Sequence, residues 1–147
     1  MTKDFIISAF KTFNLNLDTI TNRIAFQKSI YLMQKMGSGT SFNFIWHNFG
    51  PYSQELAILG RDITVEEINV APVLDSDCSI KFIELKKGNE YNSKFIEMMA
   101  DIIFLKENMG ISNKEALFLE LVRYHSYLED RNLFELSVKR LELFNLI

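Results

Sequence analysis

Residues 42 to 56 read FNFIWHNFGPYSQEL and carry the only tryptophan of the chain. Phe42, Phe44 and Trp46 alternate with Asn43, Ile45 and His47, a period of two that predicts a short strand with its aromatic face turned inward. Glycine at position 50 tolerates a positive φ. Proline at 51 suits the first turn of a helix, where its missing N–H is no loss. Tyr52, Leu56 and Leu59 then recur at i, i+4 and i+7, which predicts a helix running to Gly60. Gly50-Pro51 is therefore expected to be a strand-to-helix corner, pinned by the aromatics against a neighbouring helix.

That neighbour is expected just upstream. RIAFQKSIYLMQKM, residues 23–36, follows Thr21 or Asn22 as a cap and is closed by Gly37. Phe26, Ile30 and Met33 form its main stripe, widened by Tyr31 and Leu32, as in a central buried helix. Gln27 shares a face with Tyr31 and Gln34, so a hydrogen bond from Gln27 to the turn carrying Gly50 is expected. Before it, Phe5, Ile6, Ala9, Phe10 and Phe13 predict a first helix over 3–13.

After Gly60, Thr64 and Glu67 are spaced as a capping box for a short helical turn at 65–69, ended by Pro72. CSIKFIELKKGNEYN, residues 78–92, alternates again, with Ile80 and Phe82 on one face and Gly88-Asn89 as a turn, so a β-hairpin or one strand and a loop is expected. Three helices are predicted beyond it. Ser93 caps the first, ended by Gly110, and Ser112 or Asn113 caps the second. The third follows a break at 130–132.

A chain of 147 residues with 48% hydrophobic content and thirteen phenylalanines suffices for one domain with a sizeable core. The net charge of −3 divides into +2 over residues 1–60, −4 over 61–110 and −1 over 111–147. Such a balance disfavours whole-molecule steering towards phosphate, though a local basic face can still bind DNA. The lone Cys78 precludes an internal disulfide and suits a reducing compartment. No apolar run approaches the roughly 20 residues that a membrane span needs, so a soluble, cytoplasmic protein without a membrane partner is expected.

The order helix, helix, strand, helix and hairpin is that of a winged-helix domain. Gln27, Lys28, Tyr31, Leu32 and Gln34, followed by Gly50, Pro51, Tyr52, Ser53 and Leu56, resemble the motifs of the YwgA-like family. The resemblance extends, more distantly, to the Panacea domain of SocA-like antitoxins. It covers residues 20–60 closely and the remainder by element order. It implies a small α+β fold, mainly helical, with a winged-helix-like core over 20–92 and C-terminal helices over 93–147 packing on it. It also implies a regulatory or antitoxin-like role with no cofactor. Residues 83–88, IELKKG, are similar to the wing strand of winged-helix regulators, with lysines where a threonine is common.

Gly50, Pro51, Tyr52 and Ser53 could offer backbone N–H groups to an anion, but no glycine-rich cradle accompanies them, and a cap and corner explains them. Gln27 and Lys28 read as polar anchors inside the fold. His47, His125 and Cys78 lack the spacing of metal ligands, so no metal is expected. Cys78 with His125 and Asp77 is a conceivable nucleophilic trio, yet nothing activates the thiol, and no enzyme activity is expected. In a DNA-binding reading Gln54, Arg61, Lys81, Lys86 and Lys87 would contact bases or backbone. The C-terminal segment carries an apolar surplus, with Leu133, Leu143 and Phe144 as a possible partner or homodimer surface. The leading expectation is a non-enzymatic module that binds another protein; the alternative is a winged-helix transcription regulator.

Overall fold

The computed structural model describes residues 2–147. Among them are eight α-helices and one two-stranded antiparallel sheet, an α+β fold that is mainly helical. Helix α1 (Thr2–Thr12) leads through a connection to α2 (Ile20–Lys35), whose N-cap is Thr19, accepting from the Asn22 N–H. Strands β1 (Ile45–His47) and β2 (Gly50–Tyr52) form a hairpin that pairs Ile45 with Tyr52, Trp46 with Pro51 and His47 with Gly50. Then come α3 (Gln54–Arg61), α4 (Val65–Val70), α5 (Asp77–Leu85), α6 (Ser93–Met109), α7 (Lys114–Tyr124) and α8 (Arg131–Leu143). A single 3-10 turn at Ser126–Leu128 separates the last two helices.

Helix α6 is the centre of the molecule. Residues 95–105 are buried without interruption, and the helix packs on α2, β2, α7 and α8. A helix apolar around most of its circumference can only sit inside a core, where each enclosed Ile, Leu, Phe or Met contributes about 1.5–3 kcal/mol. The expectation that α2 is the central buried helix is thus corrected: α2 is the partner of α6, and its residues 26–33 are buried. Asn92 caps α6, and Gly110, at φ +66°, ends it in the left-handed conformation.

Two further expectations are corrected. The Gly50-Pro51 pair is not a strand-to-helix corner. It is the second strand of the hairpin, and α3 starts only at Gln54 behind the Ser53 cap, whose Oγ accepts from the Leu56 N–H. Proline is tolerated because a two-stranded sheet leaves it an edge to occupy. Tyr52 accordingly lies in β2, not on the α3 stripe.

Residues 78–88 form neither a hairpin nor a strand; 77–85 are helix α5. Cys78, Phe82 and Leu85 fall at i, i+4 and i+7 and are buried, while Ile80 and Ile83 face outward at about half exposure. The alternation seen in the sequence was a helical stripe sampled at its ambiguous positions. The capping box at Thr64 and Glu67 forms as spaced, with both reciprocal bonds present.

Candidate functional site

Helix α2 grips the hairpin from below through two glutamines set two turns apart. The Gln34 carboxamide donates to the Phe42 carbonyl at 3.0 Å and accepts from the Phe42 N–H at 2.9 Å. The Gln27 carboxamide does the same for Ser53, at 2.9 Å in each direction. One glutamine therefore holds the chain before β1 and the other holds it after β2. The neighbouring Lys28 donates from Nζ to the Pro51 carbonyl at 2.8 Å. A short hairpin cannot satisfy its outer backbone groups alone, and these side chains supply the missing partners.

The hairpin turn is held from the other side. His125 Nε2 lies 2.9 Å from the Asn48 carbonyl, and Nδ1 lies 2.7 Å from Asp101 Oδ2. Both ring nitrogens thus face acceptors, so Nε2 carries a proton and a second proton is shared with Asp101. Tyr127 donates its hydroxyl to Glu97. Lys28, Glu97, Asp101 and His125 form a buried group of two potential cations and two potential anions, each at most 6% exposed. Tyr127, 44% exposed, closes it from outside.

Burial dominates the ionisation of this group. It pulls Lys28 down to about 8, against the opposing charges of Asp101 and Glu97. It pushes Asp101 up, although His125 and Lys28 act the other way, and it raises Glu97 despite the Tyr127 bond. For His125 burial works downward, but the bond to Asp101, its charge, the Asn48 carbonyl and Glu97 together outweigh it, so the imidazole is raised. Asp101 Oδ1 and the Tyr31 hydroxyl are buried without a hydrogen-bond partner.

The aromatics of residues 42–46 seal the same region. Burial alternates over 42–47 as the spacing predicts, with Phe42 enclosed and Phe44 and Trp46 half-buried, though only 45–47 pair as strand. The Trp46 indole stacks on the His125 ring at 5.4 Å and 24°, and its edge meets Tyr124 at 5.1 Å. Tyr31 meets Phe44 edge-on at 5.0 Å. Leu56 is fully enclosed.

The structure thus brings together Gln27, Lys28, Gly50, Pro51 and Ser53, and adds Glu97, Asp101, His125 and Tyr127, which sequence reasoning did not join to them. The available signal was Glu97 and Asp101 at i, i+4 inside an otherwise apolar helix. Such acids need partners when buried.

Other candidates are dispersed. Cys78 is 3% exposed on α5 with its sulfur 3.3 Å from Ser76 Oγ, and both nitrogens of His125 are engaged elsewhere. The trio of Cys78, His125 and Asp77 is therefore not assembled. His47 stacks on Tyr52 at 4.8 Å, and among the described residues no three His, Cys, Asp or Glu side chains are gathered as a metal requires. Gln54 is exposed in the first turn of α3, while Arg61 closes that helix. Lys81 and Lys87 are exposed, but Lys86 lies over the Phe82 ring at 4.2 Å and is half-buried. These lysines lie in or just after a helix rather than on a wing. Leu133 is a core residue at 8% exposure, which removes it from the expected partner surface; Leu143 is 75% exposed and Phe144 half-buried.

Among the described residues no helix is long and apolar enough to cross a membrane. Comparison with known proteins returned no match among family models, curated proteins or solved structures. A His–Asp pair can act as a general base only if the far nitrogen reaches a substrate. Here Nε2 is spent on a backbone carbonyl and the ring is 2% exposed. The arrangement is suited to holding a loop.

Proposed function

We propose that this chain is a non-enzymatic regulatory binding module, adaptor- or antitoxin-like and winged-helix-like in ancestry, that works through contact with another protein. One observation carries the reading. The hairpin presents Ile45 at 54% and Phe49 at 39% exposure, while four side chains from α2, α6 and the 124–128 segment fix it from beneath, directly or through one another. A rigid element that displays apolar side chains loses little entropy on binding, which is how contact surfaces gain affinity. The resemblance of Gln27, Lys28 and Gly50 to Ser53 to the YwgA-like and Panacea motifs is in keeping with this, since those motif residues act inside the fold as the anchors of the displayed element.

The test is affinity capture from native lysate with Phe49→Asp and Leu143→Asp variants beside the parent chain. Capture of a defined protein by the parent and by Leu143→Asp, but not by Phe49→Asp, supports the hairpin as the contact surface. Recovery of the bait alone in mild salt overturns the reading. A salt-sensitive shift of duplex DNA, abolished by Lys86→Glu with Lys87→Glu, would favour a DNA-binding regulator instead.

A further inference from the structure

Beside the hairpin lies a groove of about 310 Å³, walled by α2, the connection before it, β2 and α3. Its apolar surface comes from Leu17, Ile20, Ile24, Phe26, Phe49 and Tyr52. Gly60 lets α3 settle onto this floor, since a Cβ there would come within 2.9 Å of the Phe26 ring. Gln27 and Lys28 line the groove as well, and their bonds to Ser53 and Pro51 lock the β2 wall to α2. The cavity is built in advance of any occupant.

Its charge is one-sided. Arg23, Arg61, Lys28 and His47 border it and no carboxylate does, in a chain where 19 acids outnumber 16 bases. The contrast is clearest among the five arginines. Arg123 pairs with Glu120, Arg131 with Glu115 and Glu135, and Arg140 donates to the carbonyls of Glu84, Leu85 and Lys87. Arg23 spends one N–H on the Leu17 carbonyl at 2.9 Å and has no carboxylate partner. Arg61 has no hydrogen-bond or ion-pair partner among the described residues. The two arginines without an acid or a set of carbonyls to saturate them are those on this groove.

We propose that the groove binds a small amphipathic carboxylate, with the apolar body against Ile24, Phe26 and Phe49 and the carboxylate on Arg61 and Arg23. The planar guanidinium matches a carboxylate through two parallel N–H donors. The volume stands at the lower end of small-molecule sites, which fits a single short aliphatic chain. This site shares Phe49 with the proposed contact surface, whereas Ile45 lies outside the groove and Arg23 and Arg61 lie outside that surface.

Calorimetric titration of the full chain with decanoate, decanol and decyltrimethylammonium tests the proposal, since the three probes share a chain and differ in head-group charge. Decanoate should saturate at one per chain and bind about tenfold or more tighter than the other two, as one charge-assisted bidentate pair would give. Arg61→Gln, a change at an exposed position, should weaken decanoate about tenfold and leave decanol unchanged. Equal affinity for the three probes, decanoate binding indifferent to Arg61→Gln, uptake of several molecules per chain, or no binding would each overturn it.

Discussion

Gly50 and Asp101 are packed so closely that a methyl group on the glycine would overlap Asp101 Oδ1, the carboxylate oxygen that has no hydrogen bond. The glycine also sits at φ +94°, a conformation other L-residues rarely adopt. Gly88 has nearly the same φ, +88°, with nothing within 4 Å of its would-be Cβ. The two positions therefore separate backbone strain from steric overlap. Gly88→Ala should cost about 1 kcal/mol in urea unfolding. Gly50→Ala should cost about 3 kcal/mol or more, because the buried carboxylate must move as well. Equal costs would mean that the packing against Asp101 is slack.

Removing the Gln27 carboxamide leaves the buried Ser53 N–H without a partner, while the Ser53 carbonyl keeps the Ala57 N–H. Gln27→Ala should therefore destabilise by about 1–3 kcal/mol. Gln27→Glu keeps the acceptor but sets an oxygen against the Ser53 carbonyl, so it should not rescue. Chemical denaturation of both variants checks this, and a Glu variant as stable as the parent would contradict it.

The buried charges predict an uncommon stability profile. His125 is raised above its ordinary 6.5 in the folded chain, so its stabilisation is complete below 6.5 and is lost as pH climbs through the folded value. Asp101 and Glu97, also raised, bind protons more readily when folded and weaken the fold as they ionise. Lys28 acts in the opposite sense. It is lowered from 10.5 to about 8, so the unfolded chain holds the extra proton between those values and stability rises with pH there. Urea midpoints should fall above pH 6.5 and recover between about 8 and 10.5. Lys28→Met should shrink the recovery, leaving what Lys86, also lowered by burial, contributes. A midpoint that climbs steadily from pH 6.5 to 7.5 would refute the assignment for His125.

The sole tryptophan reports on the same histidine. Trp46 stacks on the His125 ring at 5.4 Å, and an imidazolium quenches indole emission more strongly than neutral imidazole. Fluorescence should rise as His125 loses its proton, with a midpoint above 6.5, and His125→Gln should remove the step. Trp46→Ala should cost roughly 2 kcal/mol, about half of what a fully buried aromatic costs, because the indole is half-buried.

Local pattern was enough for much of this molecule. The inward turn of Phe42, Phe44 and Trp46, the Thr64–Glu67 box, the Gly110 stop and the helices of residues 93–143 follow from spacing and capping, which depend on neighbours in the chain. Helical periodicity also placed Gln27 as an anchor beside Tyr31 and Gln34, but its partner is Ser53 after β2 rather than the turn carrying Gly50, which His125 holds. Residues 77–85 were not legible, because a nine-residue segment of mixed polarity fits a strand or a helix and the burial of Phe82 and Leu85 chose between them. Nor was β2, where Pro51 pairs with Trp46 only because Lys28 and Gln27 take up the backbone groups that the sheet leaves free. The joining of Asp101 to His125, 24 residues apart, and of Arg23 to Arg61 on one groove was decided by how α2, α3 and α6 pack. Charges interact through space, and a sequence records their order along the chain but not the separations that set their energies.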